Sequence, residues 1–209
     1  MYSQNNEEQV IYDYFANKTE SIHHILLDIG ANDGRTFSNS LRLIELGWYA
    51  VLVEPSERAQ QALQALHGHN PRVHLIKAAI GLETGTATLH ESGHHLPDKS
   101  DHALLSSLKP EETERWRRAR VEFTDVEVDV ITYQELLQRC GYTGFDFITI
   151  DAEGMDLEIL VQIDLSHTGL LCIEWNSNHE VREQVLNYCQ HYGLTKVLYT
   201  NAENLIIGR

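Results

Sequence analysis

The stretch His24-Ile-Leu-Leu-Asp-Ile-Gly-Ala-Asn-Asp-Gly34 constrains this chain more than any other. Ile25 to Asp28 is a short apolar run ending in an acid, punctuated by Gly30 and Gly34. A helical pattern follows from Thr36 to Leu46. A buried strand, a glycine turn and a helix start in series form a docking place for a nucleotide-like ligand. Gly30 permits a sharp turn and lets ligand atoms approach where a Cβ would collide. A second apolar run, Val51-Leu52-Val53, ends in Glu54, 20 residues after Gly34. At that spacing a neighbouring strand offers a carboxylate to ribose hydroxyls. The glycines read Gly30-x-x-x-Gly34 rather than Gly-x-Gly-x-x-Gly, so no pyrophosphate cradle is spelled out and a nicotinamide dehydrogenase is disfavoured. An adenosine without phosphates fits better, and S-adenosylmethionine is such a ligand. The competing reading is a plain strand–turn–helix, because glycines are common at that junction.

A chain of 209 residues suits one domain, 1–209, with a full core. Its 42% hydrophobic and 22% charged content is that of a soluble globular protein. No apolar run approaches the ~18 residues of a membrane helix. The start, Met-Tyr-Ser-Gln-Asn-Asn-Glu-Glu, lacks the basic and apolar parts of a signal peptide. The expectation is a cytoplasmic protein with no membrane partner. A net charge of −15 argues against a nucleic-acid partner, whose phosphates demand a basic surface, but leaves a cationic cofactor open. Three cysteines with no close pairing read as thiols.

Along the chain, residues 6–17 read as a helix with acids in its first turn, and 1–20 as an N-terminal helix or lid. Strands are expected at Tyr49–Glu54 and Val73–Ile80, with a helix at Glu57–Leu66 between them. Thr86–His90 reads as an extra strand, 92–120 as a substrate loop containing a short helix from Glu111 to Arg120, and Val121–Val130 as a half-buried strand. Then come a helix (Thr132–Cys140), a strand to Asp151, a helix (Met155–Ile163), a strand (Leu170–Glu174) and a helix (Glu180–Tyr192). A closing antiparallel hairpin follows (Thr195–Tyr199, Asn204–Ile207). The alternation specifies an α/β, doubly wound, mostly parallel sheet.

Such sheets deliver ligands to the carboxyl ends of their strands, and four expected strands end in Asp28, Glu54, Asp151 and Glu174. Asp28 and Glu54 fall on the cofactor side; Asp151, Glu153, Glu174 and Asn176 fall where an acceptor would lie. Asp151 is the candidate base for an acceptor hydroxyl, with helix capping as its structural alternative. Asp151, Glu174 and Asn176 are also oxygen donors suited to Mg²⁺. His90, His94, His95 and His102 complete no recognised ligand spacing and read as a solvated loop. Arg115, Arg117, Arg118 and Arg120 around Trp116 read as an exposed helix face before a substrate grip.

With these residues in view, the sequence resembles the FkbM family of S-adenosylmethionine-dependent methyltransferases. The resemblance rests on Tyr2-Ser-Gln4, Asp28-Ile-Gly-Ala-Asn-Asp-Gly34, Val53-Glu-Pro-Ser56, Lys77-Ala-Ala-Ile-Gly81 and Gly85-Thr-Ala-Thr88. Ser106-Ser-Leu108, Val128-Asp-Val130, Phe147-Ile-Thr-Ile-Asp-Ala-Glu-Gly154 and Ile173-Glu174 complete it, all in the family's order. It implies a seven-stranded class I, Rossmann-like fold with an antiparallel last strand. It implies that Asp28, Gly30, Ala31, Asn32 and Gly34 hold the methionine part and that Glu54 holds the ribose. Ala79 would flank the adenine, and Gln4 would reach the cofactor from an N-terminal lid. The implied activity is methylation of a hydroxyl on a sugar or secondary metabolite, so the expected partner is a small-molecule or glycan acceptor. Two positions depart from the pattern: Thr149 stands where the family usually has Lys, and Asp156 where it usually has Glu. A cofactor-binding module without catalysis is the alternative that the Thr149 departure keeps open.

Overall fold

A computed structural model describes residues 2–19, 21–94, 96 and 102–209, the Arg115 side chain excepted. In chain order its elements begin α1 (Glu7–Ala16), β1 (Ile25–Ile29), α2 (Leu41–Glu45), β2 (Tyr49–Val53), α3 (Glu57–His67), β3 (Val73–Ile76), β4 (Ala79–Ile80) and β5 (Gly85–Ser92). They continue α4 (Pro110–Arg117), β6 (Phe123–Ile131), α5 (Tyr133–Cys140), β7 (Phe147–Ile150), α6 (Asp156–Leu160), β8 (Leu170–Glu174), α7 (His179–His191), β9 (Lys196–Thr200) and β10 (Asn204–Gly208). Seven strands form one sheet in the order β3-β2-β1-β7-β8-β10-β9, and β10 runs antiparallel to both neighbours. The chain thus has the expected α/β fold with an antiparallel last strand.

The central strands are nearly continuous apolar runs because helices cover both faces of the sheet. Successive side chains alternate between two cores. Leu27, Val51, Ile148 and Leu171 pack on one face with residues of α5, α6 and α7. Leu26, Leu52, Phe147 and Leu170 pack on the other with Ile11 of α1 and Leu63 of α3. Phe15 sets its ring edge-on to Trp48 at 4.7 Å and Phe147 at 6.1 Å, which anchors α1 to the sheet. Removing a fully buried ring such as Phe147 costs about 3–5 kcal/mol by the usual behaviour of core aromatics. Helix ends follow local chemistry: the Ser56 and Thr132 hydroxyls accept Ala59 N and Glu135 N, and Gly141 closes α5 at φ 77°.

Two expectations need correction. The helix expected over Thr36–Leu46 begins only at Leu41. Asp33 takes the Arg35 and Thr36 amides and the Thr36 hydroxyl, and Ser38 Oγ takes the Ser40 and Leu41 amides. Those side-chain bonds hold 33–40 in an irregular loop in place of helix. The strand expected over Val73–Ile80 also breaks at Lys77-Ala78. Its second half, β4, leaves the main sheet and joins β6 and β5 in a separate three-stranded sheet. That small sheet stands over the crevice as one of its walls. Among the described residues, no helix is long and apolar enough to cross a membrane. The three cysteines are buried and free.

Candidate active site

The carboxyl ends of β1, β2, β7 and β8 open onto a crevice lined by Asp28, Gly30, Ala31, Asn32, Glu54, Ala79 and Asp151, with Gln4 at its edge. Asp28, at the end of β1, is buried and accepts a 2.5 Å hydrogen bond from Ser40 Oγ. Burial pushes its carboxyl up to about 6, and the Ser40 bond pulls the other way. Glu54 follows β2. Its two oxygens accept the Asn32 amide at 3.0 Å and the Ser56 amide at 2.8 Å. Each oxygen keeps a further lone pair, the number needed for two vicinal hydroxyls. Burial raises Glu54 to about 7, the Ser56 and Asn32 amides lower it, and the Asp28 and Glu91 charges raise it again.

Gly30 has φ +85°, and a Cβ there would lie 1.7 Å from the backbone oxygen of Asp151. What crowds this glycine is the end of β7, so its first duty is to let two strand ends close over each other. Gly34, expected in the same cradle, lies outside the crevice lining; its φ is +74° and it faces the His67 ring and Leu63. Asn32 holds φ +48°, donates Nδ2 to His102 O at 2.5 Å, and leaves its buried Oδ1 without a partner. Ala79 sits in an apolar patch with Leu89, Val128 and Val130 on the small sheet.

Asp151 follows β7 on a tight turn. α6 has no side-chain cap, so Asp151 does not cap it; the loop amides are held by Asp156, whose carboxylate accepts Ala152 N at 2.9 Å and Gly154 N at 3.1 Å. Asp151 is left lining the crevice. Burial, then the negative charges of Asp156, Asp28, Glu203 and Glu7, hold its proton affinity well above the ordinary carboxylate range. The turn is clamped from the loop side: Ser107 Oγ donates to Glu153 O, and Lys109 Nζ donates to Gly154 O and Glu158, each at 2.6 Å. Backbone strain gathers here. Asn32, Phe37, Ala103, Glu153 and Asn176 all line the crevice with positive φ, and such conformations persist where surrounding structure enforces them.

Oxygens of Asp151, Glu153 and Glu174 lie within 4.8 Å of one another, and Asn176 lines the same end of the crevice. The group differs from the Asp151, Glu174 and Asn176 set expected for Mg²⁺, with Glu153 in the place of Asn176, and nothing in the fold or the comparisons supports a Mg²⁺ ion there. Among the described residues, no histidine joins a group of three metal-type ligands. His90 pairs with Asp125 at 2.6 Å, and His95 lies outside the described residues. Arg117, Arg118 and Arg120 are exposed, while Trp116 lines the crevice.

Phe37, Ser38, Asn39, Glu203 and Asn204 also line the crevice, and no motif announces them. Ser38 and Asn39 lie inside what reads as helix, and the 201–204 turn reads only as a hairpin link. The one available signal is its four-residue run of Asn, Ala, Glu and Asn. That turn is tied to the N-terminal segment, with Glu203 accepting the side-chain amides of Gln4 at 3.4 Å and Asn5 at 2.8 Å.

A family model described as the methyltransferase FkbM domain matches residues 28–194. Among solved structures, a methyltransferase FkbM from Methylobacillus flagellatus KT is similar with a TM-score of 0.55 and 15% identity, over 94% of this chain and 46% of that one. The present chain therefore spans about half the length of that relative. A human methyltransferase 10 domain containing protein is similar with a TM-score of 0.50 and 13% identity, over 97% and 79% of the two chains. Identities this low speak to the fold. No curated protein matches.

Proposed function

The chain belongs to the FkbM methyltransferase domain family, and from that premise we propose that it transfers a methyl group from S-adenosylmethionine to a hydroxyl of a small-molecule or glycan acceptor. The observation that carries this reading is one crevice with a ribose-type acid at one end and an uncapped carboxylate at the other. Glu54 would hold the ribose hydroxyls, and the apolar patch around Ala79 and Leu89 would take the adenine. Asp28, Ala31 and Asn32 would hold the methionine part, with Gln4 closing over it. When bound, S-adenosylmethionine supplies an electrophilic methyl on a positively charged sulfur.

The chain's own contribution is placement and proton removal. Holding acceptor and methyl in line converts an encounter into a unimolecular step, which is worth much of the barrier. Asp151 accepts the hydroxyl proton as the acceptor oxygen forms its bond to carbon; the C–S bonding pair stays on sulfur. Its raised proton affinity suits that task near neutral pH. Asp156 and Ser107 would keep the turn beneath it in shape.

The test is calorimetric titration with S-adenosylmethionine, followed by a screen of acceptors for S-adenosylhomocysteine release. Saturable binding abolished in Asp28→Ala or Glu54→Ala supports the reading. A wild-type protein that does not bind would reject it, and binding with no turnover on any acceptor would leave a module without catalysis.

A further inference from the structure

Asn39 sits in the irregular loop before α2, is nine-tenths buried and lines the crevice. Its Nδ2 reaches the Cys172 sulfur on β8 at 3.7 Å, and sulfur is a weak acceptor. Its Oδ1 has no hydrogen-bond partner. A buried amide oxygen in that state needs a donor. The next residue, Ser40, is bonded to Asp28 at the end of β1. Asp28, Thr149 and Cys172 are register partners on β1, β7 and β8. Asn39 therefore spans the row from the end of β1 across β7 to β8.

That position decides which donor reaches it. With the ribose at Glu54, after β2, a methionine chain leaving the ribose crosses β1 and arrives on the β7 side, where Asn39 lies. The two polar groups of that chain differ: the α-amino group has N–H donors and no acceptor, and the carboxylate has acceptors only. An oxygen short of a donor takes the first. A carboxylate placed here would also meet the Asp28 carboxylate, a repulsion that the amino group escapes. We infer that Asn39 is a cofactor-binding residue whose Oδ1 accepts a hydrogen bond from the α-amino group of S-adenosylmethionine, and that it makes the site require that group. A nucleoside without the amino group leaves the Asn39 oxygen buried and unpaired, which is the costly state for a polar atom. This inference rests on the methyl-transfer reading above and adds to it a residue that selects for the amino-acid end of the cofactor.

The experiment is calorimetry on the full chain with three probes: S-adenosylhomocysteine, deamino-S-adenosylhomocysteine and decarboxylated S-adenosylhomocysteine. Wild type should bind S-adenosylhomocysteine about tenfold or more tighter than the deamino compound. Asn39→Leu removes the oxygen and keeps much of the volume. It should weaken S-adenosylhomocysteine and the decarboxylated compound by about tenfold and leave the deamino compound unchanged, so the preference for the amino group shrinks by that factor. Asn39→Asp keeps an acceptor oxygen and should keep the preference; it carries the test if Asn39→Leu does not fold. A residue that only braces the loop on Cys172 would weaken all three ligands alike, and that result overturns the inference. So does a loss that vanishes with the decarboxylated compound, an Asn39→Leu protein with wild-type affinities, or a folded Asn39→Asp protein without the preference. Failure of wild type to bind S-adenosylhomocysteine at all would instead sink the methyl-transfer reading, and the inference with it.

Discussion

Substituting alanine at three glycines separates two costs that the structure assigns to different positions. At Gly30 both apply: φ is +85°, and the new Cβ would lie 1.7 Å from Asp151 O. Real Cβ contacts stop near 3.0 Å, so the ends of β1 and β7 would have to part by 1.3 Å. Asp151 N donates to Ile29 O at 2.9 Å, and that bond would not survive the separation. The left-handed backbone costs about 1–2 kcal/mol and the lost bond about 0.5–1.5 kcal/mol. A total near 2–3 kcal/mol lowers Tm by about 4–12 °C in a chain of this size. Gly141 has φ +77° with nothing within 4 Å of its Cβ position, so Gly141→Ala should lose only the backbone part. Gly85 has open space and no unusual φ, so Gly85→Ala should be neutral or slightly stabilising. Thermal unfolding of the three variants should rank them in that order. Gly30→Ala should also lose about 100-fold in turnover, because Asp151 moves by about 1 Å. A Gly30→Ala protein as stable as Gly85→Ala, with unchanged cofactor affinity, would refute the close approach of the two strand ends.

Other outcomes follow from the same geometry. Glu54→Gln should weaken S-adenosylmethionine by roughly 10- to 150-fold in a calorimetric titration, the worth of one charge-assisted hydrogen bond. Asp151→Asn should cut kcat by about 10²- to 10⁴-fold with a cofactor Kd near wild type, and should erase the acidic limb of the pH–rate profile. Burial raises Glu54 from 4.5 to about 7. Its contribution to the stability of the cofactor-free protein is therefore present below pH ~4.5 and lost as pH rises through ~7, by about 3 kcal/mol. The Tm of wild type relative to Glu54→Gln should accordingly fall between pH 5 and pH 8; a flat difference would contradict the burial of that charge.

The architecture was legible where one physical signal dominates. Ile25–Ile29, Phe147–Ile150 and Leu170–Glu174 are apolar on both faces, and only a covered parallel sheet hides both. That Asp28, Gly30 and Glu54 line one crevice was legible because each ends such a strand or makes its turn. What escaped the sequence depends on contacts distant along the chain. Asp33 and Ser38 unwind a helix by bonding their neighbours' amides, which apolar periodicity does not register. β4 changes sheets because β6, some 50 residues later, offers Ala79 and Ile80 an edge. Asp151 reads in sequence as a cap or as a crevice acid, and only the folded geometry shows Asp156 holding the Ala152 and Gly154 amides in its place. Glu203 and Asn39 carry no local signature, since their part is set by the N-terminal segment and by β8.

The tie between Gln4, Asn5 and Glu203 closes a loop of nearly the whole polypeptide, with sequence separations of 199 and 198. Tyr199 Oη adds a bond to Asn5 O at 2.7 Å, and Glu7 takes the side-chain amides of Asn201 and Asn204. Contacts between such remote partners are the slowest to form in a folding chain. The roof of the crevice therefore waits on docking of the β9–β10 hairpin, and a nascent chain that has already assembled β1, β2 and β7 still lacks a closed chamber. A chain without that hairpin would lack the Glu203 and Asn204 part of the lining and the anchor of its N-terminal segment.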